Sequence, residues 1–182
     1  YQGFKSMHLC PRCETTLSNF EVTQGYKELT DTSAYVKFRL LSGANTYLLA
    51  WTTTPWTLPG NAALAVHPDK EYAFIEITAS NAGDIPAGDT FVVGAKEDIL
   101  RRVFASPDGK GTFNFDAVAR VGTFTWNGAE VAFSAKRGIK GKELIGQSYE
   151  PLFGYYASSS SGTALPNRDR GWRVYGGSFV TD

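Results

Sequence analysis

Hydrophobic and polar residues alternate over several short stretches of this chain, with the period of β-strands. The clearest stretch is residues 33–40, where Ala34, Val36, Phe38 and Leu40 would face one way and polar side chains the other. The same patterning predicts further strands at residues 46–51, 63–66 (short and buried), 72–77, 90–94, 112–126, 129–135, 172–174 and 177–180. Residues 96–104 instead carry apolar side chains at helical spacing, which predicts a helix covering one end of a sheet.

Turn and loop residues separate these stretches. Residues 42–45 and the pair Asn127-Gly128 lie between alternating runs and predict hairpins. Residues 79–90 and 107–111 are rich in Gly, Asp and Pro and predict a loop and a turn, and residues 158–162 are of low complexity and predict a mobile segment. Many short strands with one clear helix predict a mainly β fold.

One stretch, residues 51–61, does not follow a core pattern, and we call it the threonine loop. It contains four threonines, two tryptophans and two prolines between two apolar runs. Pro55 and Pro59 lack a backbone donor, and each favours an extended conformation at the residue before it. We therefore expect a stiff, extended loop, with hydroxyls that reach a polar ligand and large rings that pack behind it. The plainer interpretation is a threonine-rich surface connection.

Composition narrows the function classes. A length of 182 residues suits one domain with a small appendage, and the net charge is zero. This balance argues against a general nucleic-acid-binding surface but allows a local basic site. Residues 136–142 contain a basic cluster, which we interpret as a solvated face in preference to a phosphate contact. We expect His67 to have a structural role in a turn. Neither a membrane span nor a signal peptide is visible, so we expect a soluble, cytoplasmic protein.

The two cysteines lie close together as Cys10-Pro11-Arg12-Cys13. This spacing suits half of a zinc site, to which His8 would add a third ligand, but no fourth ligand is evident. It also fits a redox pair or two reduced thiols, and no thioredoxin-like pattern surrounds it.

The string Trp-Thr-Thr-Thr-Pro-Trp-Thr-Leu-Pro-Gly-Asn in the threonine loop resembles the motif of the editing domain of isoleucyl-tRNA synthetase, a class I aminoacyl-tRNA synthetase. It matches at every position except Gly60, where that family usually has Ala. The leucyl and valyl relatives usually carry Arg in place of Thr54 and an acid in place of Trp56, so the resemblance selects the isoleucyl branch. Residues 10–22 and 140–153 resemble the same family, in the same order along the chain.

The resemblance implies a closed β-barrel editing domain with small peripheral helices. Residues 1–22 would form a zinc-knuckle-like lead-in, and residues 23–182 an editing domain that is truncated at its C-terminus relative to the family. Residues 140–153 would form a helical turn followed by an extended leg. Residues 112–135 do not align with the family and are expected to be a peripheral insertion.

For function, the resemblance implies hydrolysis of misacylated valyl-tRNA(Ile), and of valyl-adenylate as a further substrate. The alternative is a module that binds the tRNA 3′ end or supports the synthetase without catalysis. The family's motif carries over to a substrate site formed by Thr52, Thr53, Thr54, Thr57 and Asn61. Thr53 and Thr54 would contact the substrate and Asn61 the terminal nucleotide, whereas Trp56 would pack. The family's histidine and aspartate lie beyond Asp182, so no catalytic residue is assigned and we expect the isolated chain to be weak or inactive.

The expected cofactors and partners follow from the same resemblance. Editing needs no cofactor, and ATP and Mg²⁺ serve the catalytic domain outside this segment. Zinc is expected only in the full-length parent, since some family members complete the site of Cys10 and Cys13 with a second cysteine pair, which is absent here. The partners would be the tRNA(Ile) 3′ end carrying valine and the catalytic domain of the same polypeptide, in a monomer that does not contact membranes.

Overall fold

A computed structural model describes residues 3–28, 32–105, 111–156 and 167–181, with the backbone alone at residue 137. The chain divides into two compact units, residues 1–32 and 33–182. The predicted lead-in, residues 1–22, lies within the first unit. Residues 107–110 of the predicted turn, and the low-complexity segment 158–162, lie outside the described residues.

The first unit is held by local hydrogen bonds. Strands β1 (His8–Leu9) and β2 (Thr16–Leu17) form an antiparallel hairpin, and helix α1 (Asn19–Gln24) follows. Ser18 caps the helix: the Glu21 amide donates to Ser18 Oγ at 3.3 Å, and the Ser18 amide donates to the Glu21 carboxylate at 2.8 Å. None of the described residues of this unit is buried.

The described part of the second unit is mainly β. Its helix is α2 (Glu97–Phe104), as predicted, and none of the helices among the described residues is long and apolar enough to cross a membrane. Its strands are β3 (Ala34–Arg39), β4 (Thr46–Thr52), β5 (Ala63–Val66), β6 (Glu71–Ser80), β7 (Thr90–Gly94), β8 (Phe113–Asp116), β9 (Val121–Trp126), β10 (Ala129–Lys140) and β11 (Arg173–Gly176).

Seven of these strands form one main sheet in the described residues, in the order β3-β4-β7-β6-β10-β9-β8. Neighbours are antiparallel except β4 and β7, and the predicted hairpin of β3 and β4 is confirmed. A small sheet pairs β5 with β11 in parallel. Within the described residues the order of the main sheet ends at β3 and β8, so its closure into a barrel stays a prediction.

Both faces of the central strands are buried, because alternate side chains enter two separate clusters. On β6 and β7, Ile75 and Phe91 belong to the first cluster, which α2 covers with Leu100 and Phe104. The opposite face carries the second cluster. It is covered by the segment after β10, which contributes Leu144 and Tyr149, and by the small sheet, which contributes Val174 and Val66. The predicted helical turn after β10 is present as the 3-10 helix Gly141–Glu143.

The prediction of a single strand over residues 112–126 is wrong. A turn separates β8 from β9 there, because the Asp116 carboxylate accepts hydrogen bonds from the amides of Val118 and Ala119 at 2.8 and 2.9 Å. The hairpin turn at Asn127-Gly128 is confirmed, with φ angles of 49° and 81° that a tight hairpin requires.

The prediction that residues 112–135 form a peripheral insertion is also wrong. Strand β10 lies inside the main sheet, between β6 and β9. Phe124 and Phe133 are fully buried in the first cluster, with ring centroids 4.9 and 6.1 Å from that of Phe104. This segment therefore completes the core.

Two short segments, one in the small sheet and one directly after it, differ from expectation. Residues 177–180 form a turn, in which the Val180 amide donates to the Gly177 carbonyl at 3.2 Å, instead of the predicted strand. Strand β5 is only partly buried: Val66 is enclosed while Ala63 and Ala65 are exposed. One face of the small sheet packs inward and the other faces solvent. A run of small apolar residues does not show which of its side chains will be exposed.

Candidate functional site

The threonine loop connects the main sheet to the small sheet. It leaves β4 at Thr52, forms the 3-10 helix Pro55–Gly60, and enters β5 at Ala63. Half-buried Leu58 packs against the second core cluster and anchors the loop to the sheet.

The prediction of an extended loop is wrong, since the middle of the loop is helical. Pro55 occupies the first turn, where a missing backbone donor costs nothing. The amides of Thr57 and Asn61 donate to the carbonyls of Thr54 and Leu58 at 3.0 Å each. Each bond joins residues three apart, as in a 3-10 helix, and neither donor is a proline. The helix therefore forms even though Leu58, which precedes Pro59, favours an extended conformation.

Three of the predicted site residues form a chain of hydroxyls. Thr54 Oγ1 lies 3.3 Å from Thr52 Oγ1 and 3.5 Å from Thr57 Oγ1. The backbone holds this chain in place, because the Thr54 amide donates to Thr52 Oγ1 at 3.0 Å and Thr57 Oγ1 donates to the Thr54 carbonyl at 2.8 Å. Thr52 is half-buried, whereas Thr54 and Thr57 are exposed. The result is a short row of neutral donors and acceptors at the surface.

Thr53 and Asn61 differ from these three. The exposed Thr53 side chain has no hydrogen bond to any described residue and is available to a ligand. The Asn61 amide is already engaged: its Nδ2 donates to the Ala63 carbonyl at 3.1 Å, and its Oδ1 accepts from Tyr149 Oη at 2.6 Å. One Nδ2 hydrogen and one Oδ1 lone pair remain for a ligand.

The prediction that the large rings of the loop, and Trp56 in particular, pack behind it is wrong. Trp56 is 66% exposed and Trp51 is 58% exposed. The residue of the loop that packs against the second core cluster is Leu58 instead.

Tyr149 is a residue of the site that we did not single out from the sequence. Its side chain is 1% exposed, and burial raises the pKa of Tyr149 to about 12, opposed by its hydrogen bond to Asn61. It therefore stays protonated and donates to Asn61 at neutral pH. The only sequence signal was its place in the stretch 140–153, which resembles the synthetase family.

An apolar gap borders the loop where β4 and β7 separate. The two strands pair only through residues 46–48 and 90–92. Beyond that point lies a cavity of about 480 Å³. We call it the β4–β7 gap, and its walls include Ala50, Trp51, Leu64, Val93, Val180 and Thr181.

The basic cluster and His67 have structural roles. Lys136 pairs with Glu76 at 2.6 Å and Lys140 pairs with Glu71 at 3.2 Å, in agreement with the expected solvated face. His67 Nδ1 accepts a hydrogen bond from the Asp69 amide at 3.2 Å, in agreement with its expected role in a turn.

Cys13 lies in the turn that joins β1 and β2, and Cys10 lies directly before that turn. A hydrogen bond of 3.1 Å joins the Cys13 thiol to the Thr15 hydroxyl, and this bond, with a second to Cys10, lowers the pKa of Cys13. Zinc takes four ligands in structural sites, and among the described residues no group of three or more His, Cys, Asp or Glu is placed to hold a metal. The described residues thus fit half of a zinc site only.

Comparison with known proteins extends over the whole chain, although no protein-family model matches it. The chain is 34% identical, over 183 residues, to a probable cytoplasmic isoleucine–tRNA ligase of Dictyostelium discoideum, covering 100% of this chain and 13% of the relative. It is 35% identical, over 182 residues, to the cytoplasmic isoleucine–tRNA ligase of Schizosaccharomyces pombe, covering 100% of this chain and 14% of the relative. It is 40% identical, over 156 residues, to an isoleucine–tRNA ligase of Chlamydia trachomatis, covering 86% of this chain and 12% of the relative.

These relatives place the chain in the class of aminoacyl-tRNA ligases. Within that class it belongs to the isoleucine–tRNA ligase family, as a homologue of one segment of those enzymes. The chain spans only 12–14% of the length of these relatives. The resemblance seen in the threonine loop is thereby confirmed at the level of the family.

Proposed function

We propose that this chain is an editing domain that hydrolyses the ester bond of valyl-tRNA(Ile), and of valyl-adenylate as a further substrate. The observation that carries the proposal is the backbone-held hydroxyl row of Thr52, Thr54 and Thr57. Homology to a segment of isoleucine–tRNA ligases supports it. The domain would act on the 3′ end of the tRNA, beside the catalytic domain of the same polypeptide.

Editing answers a limit on recognition by size. One methylene group is worth only about 10–200-fold in selectivity, a limit for which isoleucine and valine on isoleucine–tRNA ligases are themselves the standard example. A second site that admits valine and excludes isoleucine removes the mischarged product.

The hydroxyl row suits ester hydrolysis because an aminoacyl ester is already activated. Its hydrolysis needs a positioned water, contacts to the terminal ribose, and donors near the developing oxyanion. Threonine hydroxyls donate and accept while neutral, and without an adjacent base they are poor covalent acyl acceptors. In this proposal Thr53 and Thr54 contact the substrate, and Asn61 offers its remaining Nδ2 hydrogen to the terminal nucleotide.

The closed barrel belongs to the same proposal, and it requires the edge strands β3 and β8 of the main sheet to be joined. A separate element of the proposal concerns the β4–β7 gap. The β4–β7 gap interrupts the main sheet, and Val180 and Thr181 border it. A further strand laid in this gap would extend the pairing of both β4 and β7. The family's histidine and aspartate, expected after residue 182, would reach the threonine loop from such a strand.

A second function, binding of the tRNA end without hydrolysis, is favoured by one observation. Among the described residues, no carboxylate or imidazole is hydrogen-bonded to the threonine loop. The loop therefore supplies polar contacts but no charged partner for the α-amino group of valine. We further propose a monomeric, cytoplasmic protein whose ATP-dependent and Mg²⁺-dependent steps belong to the separate catalytic domain.

The test compares two versions of the protein on the same valyl-tRNA(Ile), with isoleucyl-tRNA(Ile) as the control substrate. One version is the 182-residue chain, and the other is extended through the family's histidine and aspartate. We expect the longer version to release valine selectively and the shorter one to be much slower. Release of both amino acids at equal rates, or of neither by the longer version, would refute editing; tight binding without release would favour the second function.

A further inference from the structure

An open groove of about 650 Å³ lies on the second unit, next to the end of the threonine loop. This volume falls in the range of about 300–1,000 Å³ that is typical of ligand sites. Its lining includes two arginines, Arg168 and Arg173, together with Asp169 and Trp172. We call it the Arg168–Arg173 groove.

The groove is hydrogen-bonded to Asn61, the last residue of the threonine loop, and to Ala62, the residue that follows it. Tyr149, which forms part of the groove wall, donates to Asn61 Oδ1 at 2.6 Å. The Trp172 amide donates to the Ala62 carbonyl at 2.7 Å. A polymer that lies in the groove is therefore led to the Asn61 end of the loop.

The groove carries positive charge that no described residue pairs. Arg168 and Arg173 are exposed, and neither has an ion pair with a described residue. This sets them apart from Lys136 and Lys140, which are neutralised by glutamates. Asp169 is the carboxylate that shares the groove with them. Two guanidinium groups against one carboxylate favour a ligand with negative charges spaced along it.

Trp172 adds a flat aromatic surface to this charge. It is half-buried against the second core cluster and lines the groove. Its φ angle of 52° is unusual for a large side chain. The bonds from its amide to Ala62 and from the Tyr149 amide to its carbonyl, at 2.7 and 3.0 Å, hold the backbone in this conformation. Such residues concentrate at functional sites, because the surrounding structure must maintain them.

We propose that the Arg168–Arg173 groove binds a short single-stranded stretch of RNA, with phosphates against Arg168 and Arg173 and a base stacked on Trp172. Arginine with an aromatic platform is the combination by which proteins hold unpaired nucleotides. A duplex keeps its bases stacked and would leave Trp172 without a partner. The zero net charge of the chain limits the contact to a few nucleotides. The proposal rests on the proposed function in one respect, that the RNA is the 3′ strand of a tRNA.

The experiment measures binding of a fluorescein-labelled, eight-nucleotide single-stranded RNA to the 182-residue chain by anisotropy, over a series of salt concentrations. The test variant is Arg168→Ala with Arg173→Ala. A matched control, Arg101→Ala with Lys136→Ala, removes the same charge from ion-paired positions elsewhere on the unit. A third variant, Asp169→Asn, removes the groove carboxylate.

We expect the test variant to bind at least about tenfold more weakly at low salt, since each charged hydrogen bond lost costs about that factor. The slope of log affinity against log salt should fall by about 1.4, at about 0.7 for each phosphate contact on a single strand. The control variant should keep the slope, and Asp169→Asn should tighten binding. Trp172→Leu keeps an apolar side chain against the core but removes stacking, and should weaken binding about tenfold at unchanged slope.

Several results would overturn the proposal: no RNA binding by the wild-type chain at low salt, equal losses in the test and control variants, or an unchanged slope in the test variant. Displacement of the RNA by an equal concentration of an acidic peptide would assign the groove to a protein partner instead. Hydrolysis is measured separately, on valyl-tRNA(Ile). RNA binding in the groove without ester hydrolysis would leave this proposal standing and refute editing, whereas hydrolysis without groove binding would do the reverse.

Discussion

Tyr149 and Asn61 are joined by a hydrogen bond of 2.6 Å across 88 residues of chain. In a Tyr149→Phe variant, Asn61 Oδ1 loses its donor in a partly buried place, and we expect a loss of about 1–3 kcal/mol in the free energy of unfolding. Urea denaturation followed by tryptophan fluorescence measures this loss. Tyr175→Phe is the matched control, because Tyr175 makes a similar bond, to the Arg170 carbonyl, on an exposed side chain. Equal losses in the two variants would contradict the special role of Tyr149.

The same tyrosine makes stability depend on pH in the alkaline range. Burial raises the pKa of Tyr149 from 10.0 to about 12, so the folded protein keeps a proton that the unfolded chain has already lost. The stabilisation is complete below about pH 10 and disappears as the pH rises through about 12. We expect the urea midpoint of the wild type to fall more steeply over this range than that of Tyr149→Phe. Burial also raises the pKa of Tyr35, but Tyr35 is present in both proteins and cancels in the comparison. Parallel curves would contradict the prediction.

Thr53 and Thr54 are the residues whose removal tests the proposed substrate contacts of the threonine loop: Thr54 is the middle of the hydroxyl row, and Thr53 is the exposed residue before it. We expect Thr53→Ala with Thr54→Ala to keep the stability within about 1 kcal/mol, since both positions are exposed. Affinity for a non-hydrolysable valyl-adenosine analogue should fall about tenfold, from the loss of two hydrogen bonds of about 0.5–1.5 kcal/mol each. Calorimetry on the version extended past residue 182 measures this affinity. The control is Thr112→Ala with Thr125→Ala, which also removes two threonine hydroxyls, in this case a pair that lies 2.9 Å apart and away from the threonine loop. Unchanged affinity in the first variant would remove these residues from the site.

At the residue scale, the sequence indicated which side chains could bind a ligand, but not which of them hydrogen-bond or pack against other parts of the chain. The short hydroxyls of the threonine loop were visible as potential ligands, and three of them do form one row. The bond from Tyr149 to Asn61 was not visible, because it depends on packing between segments far apart in the chain. The exposure of Trp56 was missed for the same reason: Leu58 takes the packing position.

At the scale of elements, Gly122 shows how closely β8, β9 and β10 fit together. A Cβ atom at this position would collide with the Asn114 carbonyl and the Phe133 ring, so we expect Gly122→Ala to cost about 1–3 kcal/mol through overpacking. Gly60→Ala is the control, since a Cβ there meets nothing within 4 Å. It should be neutral or stabilising by up to about 1 kcal/mol, because it restricts the unfolded chain. Urea midpoints of the two variants measure the difference, and a Gly122→Ala variant as stable as the wild type would show that the strands move apart easily.

Strands with clean alternation were predictable, and strands set by tertiary context were not. The hairpin of β3 and β4 and the helix α2 follow from local periodicity and were confirmed. The split between β8 and β9 depends on the side chain of Asp116, and the central place of β10 depends on pairing with β6, which periodicity does not contain. The 3-10 helix in the threonine loop formed against the local preference of Leu58, because its hydrogen bonds are donated by the amides of Thr57 and Asn61, neither of which is a proline.

On the scale of the whole molecule, the two units differ in what stabilises them. All residues of both core clusters lie in residues 33–182, and so do Trp51, Trp56, Trp126 and Trp172. We expect deletion of residues 1–32 to leave the free energy of unfolding, measured by urea denaturation and tryptophan fluorescence, unchanged within about 0.5 kcal/mol, because no residue of either core cluster is removed. The full chain is the reference. A shift of more than about 1 kcal/mol would mean that the first unit stabilises the second.

The parallel pairing of β5 with β11 has a consequence for how the protein is made. The threonine loop leaves the ribosome long before its supports, since Tyr149 follows Asn61 by 88 residues and β11 comes later still. While the nascent chain is growing, β5 has no β11 to pair with and Asn61 has no donor from Tyr149. Contacts between distant parts of a chain form late, because the loop between them must close first. The bonds of the hydroxyl row are local, but the anchoring of Asn61 and β5 is thus completed only near the end of synthesis of this segment, after most of the main sheet has emerged.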